Sequence, residues 1–450
     1  MSLGGGVGGP GDKGLKLNLA DTFRLAWADP DLRQRLKFVI FVFTIYVIGV
    51  HVPVPVPGFS PDDLMELLKN NPFFGMMNTI GGGAFRRMSI FALGLGPYIS
   101  ASIIMQVLTM GNPKWKKELQ EGGEYARKQQ NRRTRILTVV LCLVQGFSLL
   151  QFMASSVPSI EALSPMVKFE VAVFWLAGAM FLLWLGEQVS EKGIGNGISL
   201  MIFAGIVISL PSVAQLVSTG VANGVVAWWQ AVLIVVMFIA TTWFIVMFTI
   251  AQRRIPIQHM RRNMGTRAMG GRTSYLPISV NMAGVIPVIF AIALIYMPAQ
   301  FSVAFPPDSV ANNILSTIGD FFRPDFTRWE GWIGAGVYMA LIFFFTYFWN
   351  AMTYNVEDIA NNLKRGGSYI PGVRPGKQTK EFLDGVVSKV TFVGALFLSI
   401  VALTQFVFPL IANIPNLGLI GGTSLLIMVS VALETMRQIE ASILIRQYES

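Results

Sequence analysis

Charged residues are absent from four long stretches of this chain. No Asp, Glu, Lys or Arg occurs in 193–252, 273–307, 331–356 or 390–433. A charged side chain at the centre of a bilayer costs at least about 2.5–3.5 kcal/mol, so charge-free stretches of this length are typical of membrane spans. The same absence argues against an ion-coupled transporter, because such proteins keep ionisable groups near mid-depth.

The chain is also poor in residues that form disulfides and metal sites. Its one cysteine, Cys142, lies in an apolar stretch, and its two histidines have no cysteine or carboxylate at ligand spacing. A disulfide framework is therefore excluded, and neither a metal site nor any other cofactor is predicted. The Gly-rich start, 1–14, has no apolar core and is expected to be a flexible tail rather than a signal peptide.

Apolar residues dominate the composition of the chain. Of the 450 residues, 53% are hydrophobic and 13% are charged, and the mean hydropathy is +0.55. A helix needs about 20 residues to cross the hydrocarbon core. Ten candidate spans of about this length follow one another at residues 36–56, 88–110, 136–156, 168–186, 196–216, 227–251, 277–299, 332–354, 389–409 and 419–439.

Positive charge is unevenly distributed among the segments that connect these spans. Of the 35 Lys and Arg residues, 29 lie in alternate segments that include both ends of the chain, and 6 lie in the others. The positive-inside rule therefore predicts that both termini are cytoplasmic, and an even number of spans gives the same result.

Ten spans divide into two halves of five, and an odd number of spans inverts the second half relative to the first. The predicted fold is an all-α integral membrane protein with ten transmembrane helices in two inverted five-helix halves, 36–217 and 218–440. A cytoplasmic tail with an amphipathic segment, 1–35, precedes them, and a second cytoplasmic tail, 441–450, follows.

A half-length apolar stretch interrupts the region after the first span. Phe73–Ile80 is followed by Gly81-Gly82-Gly83 and then by Arg86-Arg87. Eight helical residues cover only about 12 Å, and irregular backbone at membrane depth must lie in protein or in a water-filled cavity. Two interpretations remain open: a re-entrant half-helix inserted into a cavity, or an amphipathic helix on the outer surface of the membrane.

Two of the positively charged loops have different compositions. The loop 253–276 carries six arginines and no acid, which fits either docking of an acidic or RNA-bearing partner or a topology signal alone. The loop 355–389 is mixed in sign and rich in Gly and Pro around Pro371–Lys377. A loop of this length that specifies a shape is usually functional.

Three smaller features have structural interpretations. The run Gly193–Ser199 lacks the preceding strand and the Lys-Ser/Thr of a phosphate-binding loop, and a tight link between two spans explains it better. Gln106 and Asn281 lie within predicted spans, where such amides more often bridge helices than bind ligands.

Read together, these segments closely resemble the SecY family, the channel subunits of the bacterial protein-export translocon, from about residue 20 to the end. The resemblance depends on the order and spacing of seven motifs, at residues 88–104, 184–188, 193–199, 252–256, 280–287, 371–379 and 421–427.

The resemblance implies an hourglass-shaped, non-enzymatic channel in the bacterial inner (plasma) membrane. Unfolded preproteins would cross it, and signal sequences and membrane segments would leave through a lateral gate between spans 2–3 and 7–8. It also implies SecE and SecG subunits, and the SecA motor ATPase or the ribosome as partners. The residues that it assigns to a hydrophobic pore ring are Leu95, Ile99, Ile198, Ile202, Ile289 and Ile427. Leu95 stands where Ile is common in the family.

The same resemblance assigns further residues. A plug at about residues 70–84 would include Phe73, Phe74, Met76, Met77, Ile80, Gly81, Gly82 and Gly83. Gln106 and Asn281 would be polar residues of the lateral gate. Docking of the motor or the ribosome would involve Arg253, Arg254, Arg261, Arg262, Arg374 and Lys377, with Arg374 the strongest candidate.

Helix arithmetic offers a check that is independent of the family. At about 1.5 Å per residue, Leu95 and Ile99 lie about 11 and 17 Å into a span that starts at Met88. By the same rise, Ile289 and Ile427 lie about 18 and 12 Å into theirs. These positions are near mid-depth, whereas Ile198 is shallow unless Gly193–Gly197 already lies in the membrane. Two alternatives are an inverted-repeat secondary transporter and a membrane insertase without a through-pore.

Overall fold

The computed structural model describes residues 19–56, 59, 64, 75, 78–79, 81–154, 157–224, 226–259, 263–264, 267–268, 273–302, 305, 309–326, 328–412 and 421–449. Over these residues the chain is mostly helical. The first nine helices are α1 (Leu19–Ala28), α2 (Pro30–Val50), α3 (Gly96–Gly111), α4 (Pro113–Glu121), α5 (Gly123–Ala154), α6 (Pro158–Glu161), α7 (Pro165–Lys192), α8 (Gly197–Ala222) and α9 (Trp228–Ile250).

Strands and six further helices complete the chain. The strands that follow α9 are β1 (Gln252–His259), β2 (Asn263–Met264), β3 (Arg267–Ala268) and β4 (Thr273–Ser279). The later elements are α10 (Ile286–Ser302), α11 (Val310–Phe322), α12 (Trp329–Thr353), α13 (Val356–Arg365), β5 (Ser368–Tyr369), α14 (Lys377–Ala412) and α15 (Gly422–Glu449).

Each of the ten predicted spans coincides with a separate helix. Among the described residues, six helical stretches are long and apolar enough to cross a bilayer, and they cover all or most of α5, α7, α8, α9, α12 and α14. The other four predicted spans coincide with α2, α3, α10 and α15, and α10 contains a shorter apolar stretch, Ile286–Ala299. The helical membrane fold is therefore confirmed, with six spans supported by length and composition together.

Short polar residues begin several of these helices. The Asp29 carboxylate accepts hydrogen bonds from the backbone N–H groups of Asp31 and Leu32, with Pro30 in the first turn of α2. Ser164 caps α7 in a similar way. Such caps satisfy N–H groups that have no partner inside the helix, which fixes where each helix starts.

Two helices start later than the apolar pattern predicts. The second span was expected from Met88, but α3 begins at Gly96 because residues 88–90 pair with the chain after α2. The Val54 N–H donates to the Met88 carbonyl at 2.9 Å, and the Ile90 N–H donates to the Val52 carbonyl at 3.1 Å. Met88 and Gly94 have φ angles of 45° and 54°, which are incompatible with a continuous right-handed helix.

The seventh span was expected from residue 277, but α10 begins at Ile286. Residues 277–279 belong to β4, and Gly284 has a φ of 64°. The strand pairing takes precedence there because every residue of β4 pairs antiparallel with β1, from Gln252 opposite Ser279 to Gln258 opposite Thr273. Conversely, α8 continues to Ala222, past the predicted boundary of the first half at residue 217.

Five short strands add a small amount of sheet to this mostly helical chain, among the residues that the structure describes. β1 lies between β4 and β5 in a three-stranded sheet, with Gln258 opposite Tyr369, and β2 pairs with β3. We call the face of the helical bundle that carries this sheet the sheet side, and the opposite face the far side. The α15 residue Arg437 donates to the carbonyl of Thr249 just before β1, which puts this part of α15 on the sheet side.

Close helix contacts depend on individual glycines. A Cβ atom at Gly422 of α15 would lie 1.5 Å from the carbonyl oxygen of Val401 in α14. The Gly422 N–H donates to the Thr404 hydroxyl at 2.9 Å, which fixes the same approach. The two helices therefore pack backbone against backbone, as small residues permit in membranes.

We expect Gly422→Ala to lower the thermal unfolding midpoint in detergent by several degrees, because α14 and α15 must move apart. Overpacking of this kind typically costs about 1–3 kcal/mol. Gly336→Ala in α12 is the control, since a Cβ atom there meets nothing within 4 Å. Equal midpoints for the two variants would contradict the assigned contact.

Candidate functional site: an apolar constriction

The six predicted ring residues lie in one apolar cluster. Leu95, Ile202 and Ile427 are buried, with exposed fractions of 6%, 7% and 6%, and belong to its core. Ile99, Ile198 and Ile289 are half-buried and pack against it. The cluster thus brings together aliphatic side chains from α3, α8, α10 and α15, which are remote in sequence.

These residues lie near the beginnings of their helices. Leu95 is the N-cap of α3, Ile198 is in the first turn of α8, and Ile289 is in the first turn of α10. The depths calculated for Leu95, Ile99 and Ile289 assumed helices that start at residues 88 and 277, whereas the helices start at Gly96 and Ile286, so the depths stay predictions. These ring residues come together because the turns before α3, α8 and α10 lie inside the protein and the helices begin there.

The link before α8 holds Ile198 in position. A Cβ atom at Gly197 would lie 1.8 Å from the Gly186 carbonyl oxygen, so α7 and α8 touch through backbone. The Ser190 hydroxyl accepts a hydrogen bond from the Gly197 N–H at 2.9 Å, and Asn196 caps α8. The predicted tight link is confirmed, and it requires the glycine at position 197.

A cavity of about 510 Å³ reaches this cluster. Its wall includes the ring residue Ile198, together with Tyr98 and with Gln438 of α15. An ion pair between Arg135 of α5 and Glu187 of α7, 2.7 Å long, lies in the wall. We call this cavity the vestibule. Its charged residues are therefore next to the six aliphatic ring residues but are not part of the ring. Sequence reasoning missed Tyr98, Arg135 and Glu187, which no local pattern connects.

Most of the predicted plug lies outside the described residues. This applies to Phe73, Phe74, Met76, Met77 and Ile80. Gly81, Gly82 and Gly83 are described, and we call residues 78–84 without Ile80 the triglycine segment. Its glycines make a turn: the Gly83 N–H donates to the Asn78 carbonyl at 2.7 Å, and Gly82 and Gly83 have φ angles of 67° and 84°.

The triglycine segment lies inside the protein, against α8. A Cβ atom at Gly82 would be 3.4 Å from both the Gly205 carbonyl oxygen and the Ile208 side chain. These two residues follow Ile202 by about 5–9 Å along the helix, on its far-side part. Ala84 is fully buried in the same cluster as the ring. This location favours the re-entrant interpretation over a helix on the membrane surface.

A second apolar cluster joins α3 to the later helices. Ile103 of α3 is buried with Val288 and Ile292 of α10 and with Ile342 of α12. Ile99 packs against both clusters. The seam between α3 and α10 is therefore continuous with the ring and is held by side-chain packing.

The two amides predicted for the lateral gate do not pair with each other among the described residues. Gln106 of α3 donates to the Ser102 hydroxyl at 3.1 Å, and its oxygen has no hydrogen-bond partner there. Both polar atoms of the Asn281 side chain are buried and unpaired in the described part of the chain. Asn281 lies in the turn before α10, not within a span.

On the sheet side, the two charged loops form one unit, which we call the sheet platform (β1, β4, β5, α13 and the start of α14). A small core joins its parts. The buried members of this core are Ile255, Ile278, Val356, Ile370 and Leu383. A 2.6 Å ion pair between Lys380 and Glu357 links α14 to α13. Ile255 and Ile257 are two residues apart, with Arg254, Pro256 and Gln258 at the alternate positions, and this period-two spacing could have predicted β1.

The predicted docking residues occupy the surface of the platform. Arg253 and Arg254 are exposed on β1, and Arg374 and Lys377 are exposed on the turn after β5 and at the start of α14. The Thr379 hydroxyl donates to the Arg374 carbonyl at 2.9 Å, which fixes that turn. Arg261 and Arg262 lie outside the described residues.

Comparison with known proteins gives a consistent result. The SecY family model matches residues 89–436. The SecY subunit of the protein translocase from Aquifex aeolicus is 38% identical over 429 residues, covering 93% of this chain and 96% of that protein. The corresponding subunit from Halalkalibacterium halodurans is 40% identical over 430 residues, with 93% and 96% covered.

Solved structures show the same fold at lower identity. A SecY whose plug domain is described as stabilising the closed translocation channel matches with a TM-score of 0.65 and 22% identity, over 90% of this chain and 91% of the other. Sec61 from a canine ribosome–channel complex matches with a TM-score of 0.53 and 18% identity, with 90% and 91% covered.

We expect Ile278→Ala to expose the β1–β4 hairpin to proteolysis, because Ile278 is fully buried in the platform core. Truncating a buried Ile to Ala costs about 2–5 kcal/mol. Limited trypsin digestion at Arg253 and Arg254 measures the effect. The control is Tyr275→Ala, since Tyr275 is on the same strand but exposed. Equal cleavage rates for both variants would contradict a shared core.

Proposed function

We propose, from the premise that this chain belongs to the SecY family and is a protein-translocation channel, that unfolded polypeptides thread between α3, α8, α10 and α15 through the aliphatic ring. The observation that carries this proposal is the convergence of the six ring residues in one cluster. A cavity reaches the cluster at Ile198, and the triglycine segment adjoins it on the far side.

The chemistry of the ring suits a channel for chains of any sequence. Aliphatic side chains exclude water and ions when the constriction is closed. They have no hydrogen bonds that a passing chain must satisfy, and their rotamers can adapt to its width. The Arg135–Glu187 pair in the vestibule and the absence of charge in the ring together keep strong ionic binding away from the narrowest point.

The triglycine segment, as the described end of a plug, would close the channel from the far side. Gly82 contacts α8 beyond Ile202, and Ala84 packs into the cluster itself. Displacing such a segment requires no ionic bond to break among its described contacts. At the described residues, a polypeptide that enters from the sheet side would therefore compete with apolar packing and with neutral hydrogen bonds such as that from the Ser89 N–H to the Ala84 carbonyl.

Lateral release would use the seam between α3 and α10. Ile103 closes it by packing. Gln106 follows Ile103 by one turn of α3, Asn281 lies in the turn before α10, and both have buried polar atoms without a partner among the described residues. A buried polar atom without a partner costs about 1–3 kcal/mol. Hydration of these amides on opening would lower the free-energy difference between closed and open seams. An apolar signal sequence could then stabilise the open form.

Orientation and partners follow from the charge distribution. We place both termini and the sheet platform in the cytoplasm of a bacterium, with the channel in the inner membrane, since most Lys and Arg lie in the segments on that side. Exposed Arg253, Arg254, Arg374 and Lys377 would dock the SecA motor or the ribosome. SecE and SecG would be the companion subunits in the membrane.

The proposal assigns no catalytic step and no cofactor to the chain. Energy would come from the docked partner, which makes a rigid platform useful because force applied to a loose loop would not reach the helices. The two halves are proposed to be inverted and to meet at the ring, with the link between them at Asn223–Ala227, since α8 ends at Ala222.

Replacing Ile202, Ile289 and Ile427 together with Ser should make the resting channel leak ions, because a wetted constriction loses its barrier. Conductance across planar bilayers that contain the complete channel complex measures the leak. The matched control carries Leu at the same three positions and should stay tight. Ion tightness in the Ser variant would contradict the ring and would favour an insertase that has no through-pore.

Charge reversal at Arg374 should abolish motor-driven export while the channel itself still inserts into the membrane. Arg374→Glu places a carboxylate where the partner meets an exposed guanidinium. The assay is ATP-dependent transport of a preprotein into inverted vesicles. Arg328→Glu is the control, because Arg328 is exposed just before α12, on the far side. Unchanged export would remove Arg374 from the docking surface.

A further inference from the structure

The helix α11, which connects α10 to α12 on the far side, has an exposed apolar stripe that nothing in the channel mechanism uses. Its members are Val310, Ile314, Ile318 and Phe321, with exposed fractions of 74%, 54%, 37% and 40%. At about 100° per residue, these four lie within about 80° of one another around the helix axis.

A polar stripe lies directly beside the apolar one. Asn313, Thr317 and Asp320 are exposed on the neighbouring arc of α11. The two exposed stripes therefore divide the free surface of the helix lengthwise into an apolar and a polar part. A helix surrounded by water would not be expected to have the apolar stripe, and a helix surrounded by hydrocarbon would not be expected to have the polar stripe.

The third face of α11 is fixed to the end of α10. A Cβ atom at Gly319 would lie 3.1 Å from the Cβ of Ala299, which shows how closely the helices approach. The Asn312 amide donates to the Ser302 carbonyl at 2.9 Å and to the Phe305 carbonyl at 3.3 Å. Asn312 thus satisfies carbonyls at the C-terminal end of α10 and determines which way the two stripes of α11 face.

The surroundings indicate the level of the membrane interface. Trp329 and Trp332 are exposed at the start of α12, and indole rings are enriched where hydrocarbon meets headgroups. Phe301 of α10 and Ile333 of α12 are also exposed apolar residues of the helices that flank α11. The apolar stripe therefore continues the lipid-facing surface of α10 and α12.

We propose that α11 is an interfacial helix whose apolar stripe contacts the acyl chains of the far-side leaflet while its polar stripe faces water. The contacts of Asn312 and Gly319 transmit this anchoring to the end of α10. Under the proposed function α10 is a gate helix, so lipid packing would act on the gate. That consequence rests on the proposed function, whereas the lipid contact does not.

Two pairs of adjacent positions test the lipid contact in the complete channel complex in liposomes. Ile314→Cys and Ile318→Cys report on the apolar stripe, and Asn313→Cys and Thr317→Cys are their neighbours on the polar stripe. Each is labelled with an environment-sensitive fluorophore. The unsubstituted chain gives the background, since its one cysteine, Cys142, is buried.

Quenching by aqueous iodide is compared with quenching by lipids that carry bromine on the acyl chains. Brominated lipids should quench the labels at 314 and 318 severalfold more than the labels at 313 and 317. Iodide should quench the labels at 313 and 317 severalfold more than those at 314 and 318. Equal iodide quenching at all four positions would overturn the proposal, because the stripe would then lie in water. Protection of 314 and 318 from both quenchers would overturn it too, because a protein partner would then cover the stripe.

Discussion

Every backbone N–H and C=O group at membrane depth must find a partner within the protein, and this requirement organises the whole structure. Helices satisfy it locally. Among the described residues between α2 and α3, turns satisfy part of this requirement: the Met88 N–H donates to the Phe85 carbonyl at 2.9 Å and the Ser89 N–H to the Ala84 carbonyl at 3.0 Å. These described turns bond to their own backbone, and the ring in the same cluster as Ala84 consists of aliphatic side chains.

A second requirement, the passage of chains of different sequence, explains why the site has so few polar groups. A constriction that must pass many different chains cannot present fixed donors or acceptors, since each would bind some sequences and release them slowly. The polar groups lie outside the ring: the Arg135–Glu187 pair lines the cavity, Gln106 lies further along α3 and Asn281 lies in the turn before α10. In the proposed mechanism, packing seals the channel and these polar groups make the seal reversible.

The sheet platform shows how a partner on one side could act on the helices. β1 pairs with β4 and with β5, and both sheet pairings and the core around Ile278 connect the loop before α10 to the loop before α14. A force applied at Arg374 would therefore reach the start of α10, one turn from Ile289. On the far side, Asn312 and Gly319 hold the other end of the same helix.

The sequence alone determined the class of protein, the ten apolar segments and the side that carries most positive charge, because hydropathy and charge are properties of local composition. The aliphatic ring was reached only through resemblance, since a single Ile in a span has no local signature. Tertiary structure decided where α3 and α10 begin, because the turns at Met88 and Gly284 and the β1–β4 pairing override the apolar pattern. Tertiary structure also paired β5 with β1, which lies about 110 residues earlier in the chain. Strand pairing depends on which distant backbone segments meet, and no short window of sequence contains both strands.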